Sequence, residues 1–301
     1  MGMKVLSIFA GAGGFDLGAE RAGFKIVGHV EIDPQCRKLL ASRWPDAVSW
    51  DDVRTAGRHN LPSCDIVTFG FPCQDLSVAG KRAGLKGERS GLFYEATRII
   101  RELKPAWALF ENVPGLLSSG KGADFGAVLA EMDECGYSGA WRVLDSQWLG
   151  VAQRRRRVFG LFTRLDSGAA RCAEVLSISE SLRGNPAPSR EAGESVTHDV
   201  APCIGASGRG FERAGETRGQ DPVVACPLTD NPYDEVRFAR IGMAVRRLTP
   251  TECERLQGFP DGWTAAFSDS ARYRMLGNAV TVNVSEWIFK RLATHMEGIN
   301  E

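Results

Sequence analysis

Residues 4–18 read KVLSIFAGAGGFDLG, and this stretch decides the fold. The apolar run Lys4–Phe9 has the length and composition of a buried strand, a glycine-rich turn follows, and a helix-period segment begins directly after it. A strand that feeds a helix through such a turn brings the free amides of the helix N-terminus close to a ligand. Gly11, Gly13 and Gly14 do not complete the G-x-G-x-x-G pattern, because Asp16 stands where the third glycine would be. The turn therefore points to a nucleotide-like ligand without saying which.

Outward from this unit, short apolar runs keep alternating with helical segments. Strands are predicted at Lys4–Phe9, Ile26–Glu31, Ala47–Trp50, Asp65–Phe69, Trp107–Phe110, Trp141–Asp145 and Val158–Phe162. The clearest helix is Gly91–Leu103, with Leu92, Ala96, Ile99, Ile100 and Leu103 on one face. The pattern predicts an α/β protein: a doubly wound, mixed but mostly parallel sheet, covered by helices on both faces. From about Leu165 to Arg246 the alternation stops and Gly, Pro, Ser and Arg dominate, so a second, smaller and irregular unit is expected there, with Val200–Ile204 and Pro222–Ala225 as short strands. Helical signals return at Thr249–Gln257, opened by Thr-Pro, and at Thr281–Leu292.

Composition narrows the class. With 43% hydrophobic and 25% charged residues over 301 positions, the chain falls among globular proteins rather than disordered or fibrous ones. No apolar run approaches the ~20 residues of a membrane helix and no signal peptide is legible, so the expected location is the cytoplasm. Basic and acidic residues balance at 37 each, so any nucleic-acid contact must come from a local patch. The eight cysteines never approach within a metal or redox spacing, and no metal site is expected.

In doubly wound sheets, ligands bind beyond the carboxyl ends of the strands. The second predicted strand ends at Glu31, about 20 residues past the glycine turn, where a carboxylate can accept from ribose hydroxyls; Asp33 is its rival. After the third come Asp51-Asp52-Val53, suited to an amino group and a ring. After the fourth comes Phe71-Pro72-Cys73-Gln74 and the basic, glycine-rich SVAGKRAGLKGERSG, surroundings that favour a thiolate at Cys73. The fifth is followed by Glu111-Asn112-Val113-Pro114. Gln153 then leads four arginines into a strand, and alternation puts Arg155 and Arg157 on one face, Arg154 and Arg156 on the other. None of the four histidines stands where a cysteine hydrolase would need one.

Taken together, FAGAGG, FPCQ, ENV, QRRRR, RLTPTECERLQGFPD and GNAVTVNV, in this order across nearly the whole chain, resemble the DNA cytosine-5 methyltransferases of the bacterial and phage type. The resemblance implies a Rossmann-like fold that uses S-adenosyl-L-methionine. The cofactor would be held by Phe9, Gly11, Gly13, Gly14, Glu31, Ile32, Asp52, Val53, Pro72, Leu92, Asn278 and Val280. It implies Cys73 as the nucleophile, Glu111 as the acid on the base, Arg155 on the carbonyl oxygen of the base, and Arg157 with Asn112 holding the nucleophile loop and target nucleotide. Residues 1–164 with 274–301 would be the catalytic and cofactor-binding domain, 165–246 the target-recognition domain and 247–273 a hinge.

Double-stranded DNA would be the partner, touched by Gln74, Ser77, Lys81, Arg82, Arg89 and Asn112, with Arg209, Arg213, Arg218 and Arg237 available for base reading. The loop of about residues 76–91 would close on it. A cognate restriction endonuclease acting separately and a monomeric enzyme complete the expectation. Ser7 departs from the family, many of whose members carry an acidic residue there. An RNA cytosine methyltransferase and a catalytically silent relative share the motifs; the sizeable variable region favours DNA, and the intact Cys73, Glu111, Arg155 and Arg157 favour an active enzyme.

Overall fold

The computed structural model describes residues 2–71, 91–166, 168–178, 224–226, 244–246 and 248–297. Its centre is a seven-stranded sheet with strand order β3-β2-β1-β4-β5-β7-β6. The strands are β1 (Lys4–Ile8), β2 (Lys25–Val30), β3 (Val48–Trp50), β4 (Ile66–Phe69), β5 (Trp107–Asn112), β6 (Ser138–Asp145) and β7 (Arg156–Thr163). β1 to β5 pair in parallel, whereas β7 runs antiparallel to both of its neighbours. All seven predicted strands are present within a few residues of their expected limits, and the sheet is mixed and mostly parallel.

Each strand faces two cores, which is why the runs read as continuously apolar. On one face Val5, Trp107, Leu109, Phe159 and Leu161 pack with helices α1 (Gly14–Arg21), α2 (Pro34–Arg43) and α9 (Val282–Glu297). On the other, Leu6, Ile8, Val67, Phe69 and Phe110 pack with α3 (Gly91–Leu103) and, beyond the four-residue helix α4 (Gly115–Ser118), with α5 (Ala123–Glu134). Strand alternation thus sends Val5 and Leu6, or Leu109 and Phe110, to opposite layers.

Three regions differ from the plain alternation. Helix α6 (Gly168–Val175) lies inside the stretch expected to be irregular, yet Cys172, Val175 and Leu176 are buried in the α1–α9 core and Arg291 of α9 donates to the carbonyls of Glu174 and Val175. Strands β8 (Val224–Cys226) and β9 (Ala244–Arg246) pair antiparallel, overlapping the predicted strand Pro222–Ala225, while Val200–Ile204 lies outside the described residues. The expected hinge region contains α7 (Pro250–Leu256), capped by reciprocal Thr249 and Glu252 hydrogen bonds, and the first half of α8 (Asp269–Asn278). Leu248, Cys253, Phe259 and Trp263 there share the α1–α9 core.

Gly160 of β7 lies opposite Phe110, and a Cβ at that position would stand 2.2 Å from the Phe110 ring. Gly160→Ala is expected to lose about 1–3 kcal/mol of stability through overpacking. Urea denaturation would show it as a lower midpoint at unchanged slope; an unchanged midpoint would mean that the ring yields without cost.

Candidate active site

The order of the sheet reverses between β1 and β4, and the polar residues gather at the carboxyl ends around that point. Between β1 and α1 the turn is tightly bent: Gly11 and Gly13 have φ of +56° and +83°, and even Phe9 has φ +57°, held by its N–H donating to the Val30 carbonyl at 2.8 Å. A left-handed Phe9 costs on the order of 1–2 kcal/mol, the kind of strain that surrounding structure sustains at ligand sites. A Cβ on Gly14 would stand 2.1 Å from the Val280 carbonyl oxygen, so glycine is required where the turn meets the segment after α8. Helix α1 begins with no side-chain cap.

Glu31, directly after β2, is buried; its Oε2 accepts from Gly11 N at 2.7 Å and its Oε1 from Asp33 N at 2.8 Å. Burial holds its carboxyl above the usual carboxylate range, against the opposing pull of the Asp33 and Gly11 amides. Its rival Asp33 is engaged elsewhere, capping α2 and pairing with Arg274 at 2.9 Å. Ile32 is 68% exposed, a large aliphatic group presented beside the Glu31 carboxylate. Asp52 is bound by Arg54 through both oxygens, which lowers its pKa. Val53 is buried in the α3-side core, and half-buried Leu92 packs against the same core.

One carboxylate escaped the sequence reading. Asp16, noted there only as the residue that breaks the glycine pattern, is 0% exposed; its Oδ1 accepts from Ser7 Oγ at 2.6 Å and lies 3.4 Å from His29 Nε2. Ser7 Oγ also shares a 2.8 Å hydrogen bond with Thr68. A carboxylate thus stands beside position 7, supplied from α1. Asp16 Oδ2 is buried without a hydrogen-bond partner among the described residues, an acceptor left open just after the glycine turn. A buried carboxylate, an exposed aliphatic side chain, a turn that demands glycine and an uncapped helix form a donor set that fits an adenosyl group bearing a charged tail.

The second half of the site lies at the β4–β5–β7 edge. Glu111 and Asn112 end β5, and because β7 runs the other way its first residues reach the same edge, with Val158 opposite Asn112. Arg157 Nε is 3.1 Å from Glu111 Oε1, with 8% and 12% of the two side chains exposed. Asn112 Nδ2 donates to the Phe71 carbonyl at 3.3 Å, and a Cβ on Gly70 would come 3.5 Å from Glu111 Oε2. The Phe71 ring sits among Phe69, Phe93 and Phe110, which fixes where the chain leaves β4. The expected alternation holds: Arg155 and Arg157 are buried, Arg154 and Arg156 exposed. Their contacts differ, since Arg157 takes the glutamate whereas Arg155 donates to the carbonyls of Gly277 and Ala279 at 3.2 and 2.9 Å.

Asn278 between those carbonyls is exposed, and Val280 is buried against Gly14. Pro72, Cys73, Gln74, Ser77, Lys81, Arg82 and Arg89 lie outside the described residues, as do Arg209, Arg213, Arg218 and Arg237. Cys36, Cys64, Cys135, Cys172 and Cys253 are free thiols; burial pushes Cys64, Cys172 and Cys253 up to about 12, as suits packing groups rather than nucleophiles. Among the described residues no helix is long and apolar enough to cross a membrane.

Residues 3–200 and 203–294 match the family described as C-5 cytosine-specific DNA methylase. The Type II methyltransferase M2.BsuMI of Bacillus subtilis is 32% identical over 99% of this chain and 77% of its own length, and M.FnuDI of Fusobacterium nucleatum is 31% identical over 96% and 94%. Among solved structures, the Entamoeba histolytica methyltransferase EhMeth superposes with a TM-score of 0.70 at 15% identity, over 100% of this chain and 99% of its own, which speaks to the fold.

Removing one partner of this largely buried ion pair weakens the compensation of the other charge. Arg157→Met is expected to cost about 3 kcal/mol of stability, and the Glu111→Gln, Arg157→Met double variant less than the sum of the singles. A urea-denaturation cycle would measure this, and strictly additive losses would show that the two side chains are not coupled.

Proposed function

The chain belongs to the C-5 cytosine-specific DNA methylase family and is a DNA (cytosine-5) methyltransferase, and on that premise we propose how its residues share the work. The family implies S-adenosyl-L-methionine as methyl donor and DNA as substrate. The observation that carries the assignment is the Glu111–Arg157 pair at 3.1 Å, set on the same strand edge as the Asn112 contact to Phe71, two residues before Cys73.

In this reading Phe9, Gly11, Gly13, Gly14, Glu31, Ile32, Asn278 and Val280 hold the cofactor, with Glu31 accepting from its ribose and Ile32 covering its adenine. Pro72 and Leu92 border the same pocket, and Asp52 reaches the adenine amino group while remaining paired to Arg54. Bound S-adenosyl-L-methionine supplies an electrophilic methyl group on a positively charged sulfur. Cytosine carbon 5 is a poor nucleophile and is shut inside the duplex, so the base is first flipped into the site. Cys73 thiolate then adds to carbon 6. Glu111, bonded at ring nitrogen 3 and the exocyclic amine, neutralises the charge that builds on the ring and makes carbon 5 nucleophilic. Arg157 keeps the Glu111 carboxylate aimed and its charge balanced. Once carbon 5 carries the methyl group, with S-adenosylhomocysteine as the other product, loss of the carbon 5 proton to water and expulsion of Cys73 as a thiolate restore the aromatic ring.

The target-recognition role of residues 165–246 belongs to the same reading, with α6 left to the catalytic core. So do DNA contacts from Gln74, Ser77, Lys81, Arg82 and Arg89, and base reading by Arg209, Arg213, Arg218 and Arg237. The naming of relatives as Type II methyltransferases supports a companion endonuclease, and flipping one base requires only one subunit.

Two experiments test the assignment. Modification sequencing of DNA from cells expressing the chain should show methylated cytosines in one short motif, absent from cells carrying Cys73→Ala; unmethylated DNA in both would move the substrate to RNA, and methylation by the variant would remove the covalent step. Because an ionised carboxylate accepts from ribose hydroxyls more strongly than a protonated one, affinity for S-adenosylhomocysteine should fall as pH drops through the raised value of Glu31. Glu31→Gln should bind about tenfold more weakly at neutral pH and lose that dependence. Calorimetry at several pH values would decide; wild-type affinity in the variant would take Glu31 out of the site.

A further inference from the structure

We infer that Arg155 is a positioning residue for the cofactor and not a contact to the target base. It caps the C-terminal end of α8 and fixes the segment Asn278–Val280 against the glycine turn, so the strand that carries Arg157 also sets the cofactor pocket. The inference rests on reading Asn278 and Val280 as part of that pocket. Arg155 is 4% exposed, and its Nη2 donates to both Gly277 O and Ala279 O. These carbonyls lie at the end of α8, where the helix itself supplies no donors and where a cation complements the helix dipole. A planar guanidinium offers two hydrogens on one terminal nitrogen, one for each carbonyl.

The same short segment is held from a second side. Gln257, buried at the end of α7, donates from Nε2 to Leu276 O at 2.7 Å, accepts at Oε1 from Thr281 Oγ1 at 2.8 Å, and through its own carbonyl from Val282 N at 2.9 Å. Residues 276, 277, 279, 281 and 282 are therefore all pinned, and Asn278 is presented to solvent between two anchored carbonyls. The Val280 carbonyl that closes on Gly14 follows directly. At its other end Arg155 is set by its own N–H, which donates to Asp145 Oδ1 at 3.0 Å across the β6–β7 turn. A displacement of the β7 start on the base side is thus transmitted by one side chain to the backbone on the cofactor side, without contact between Arg155 and either ligand.

The test compares Arg155→Met, Arg155→Lys and Arg157→Lys with wild type, using S-adenosylhomocysteine binding by calorimetry and steady-state KM for S-adenosyl-L-methionine and for a DNA duplex. Arg155→Met should weaken S-adenosylhomocysteine binding about tenfold or more, as expected from stranding two buried carbonyls, while KM for DNA stays within about threefold. Arg155→Lys, which keeps the charge and at least one donor, should recover part of the loss. Arg157→Lys should lower kcat with cofactor affinity unchanged. If Arg155→Met proves too unstable to purify, hydrogen exchange of Arg155→Lys should rise over residues 276–282 and not over residues 111–113. Wild-type cofactor affinity in the Arg155 variants, with the loss falling on DNA, overturns the inference alone. Wild-type protein that binds no S-adenosylhomocysteine overturns the cofactor reading and this inference with it.

Discussion

The constraint on which the site depends is the reversal of β7. In a wholly parallel sheet, the residues at the start of a strand lie at the edge opposite the ligands. By entering between β5 and β6 in the antiparallel sense, β7 brings its first residues to the edge where β5 ends, and the register of Asn112 with Val158 sets Arg157 next to Glu111. A strand turned round thus supplies a buried cation to a carboxylate only 12% exposed, in a place where either alone would be costly. The price of this arrangement in local geometry is small, because antiparallel pairing needs only the 146–155 turn, itself tied by the Ser146 and Asp145 hydrogen bonds.

From that edge the rest follows by short links. Asn112 holds Phe71, and Phe71 fixes the departure point of the chain that carries Cys73. Arg155 and Gln257 hold the end of α8, and Val280 meets Gly14. Trp263 reaches from the segment after α7 to donate to the Ala12 carbonyl at 2.9 Å, while Arg43 of α2 lies over its ring. The glycine turn is therefore bounded by two pieces of chain remote in sequence, which is how a turn of small residues keeps a strained shape.

Much of this was legible in the sequence, and the reasons are physical. Strands buried on both faces are runs that cannot be mistaken for surface, and Gly91–Leu103 declares itself by spacing alone, matching α3 residue for residue. Two helices were missed. Helix α6 buries only Gly168, Cys172 and Val175 within its eight residues, too short a stripe to stand out from a Gly- and Arg-rich neighbourhood, and α8 buries a few residues among polar ones. Alternation correctly paired Arg155 with Arg157 on one face, yet could not say that one turns to Glu111 and the other to α8, because that depends on which element lies beyond the sheet edge. Asp16 was read as a defect in a motif; the signal that could have found its role is a serine at position 7 where an acid was expected, with an acid one helical turn into α1.

The packing of α9 on α1 has a temporal side. Ser285 donates to the Phe15 carbonyl, Phe289 lies on Phe24, and Glu286 pairs with Arg21, so the helix that follows the glycine turn is covered by residues made some 260 positions later. At ribosomal speeds of about 5–20 residues per second, α1 waits roughly 13–50 s for its cover. The nascent chain thus carries its glycine turn long before it can stabilise it, and the methyl-transferring centre matures as α9 is delivered, when the Gly-, Pro- and Arg-rich stretch between has already been synthesised.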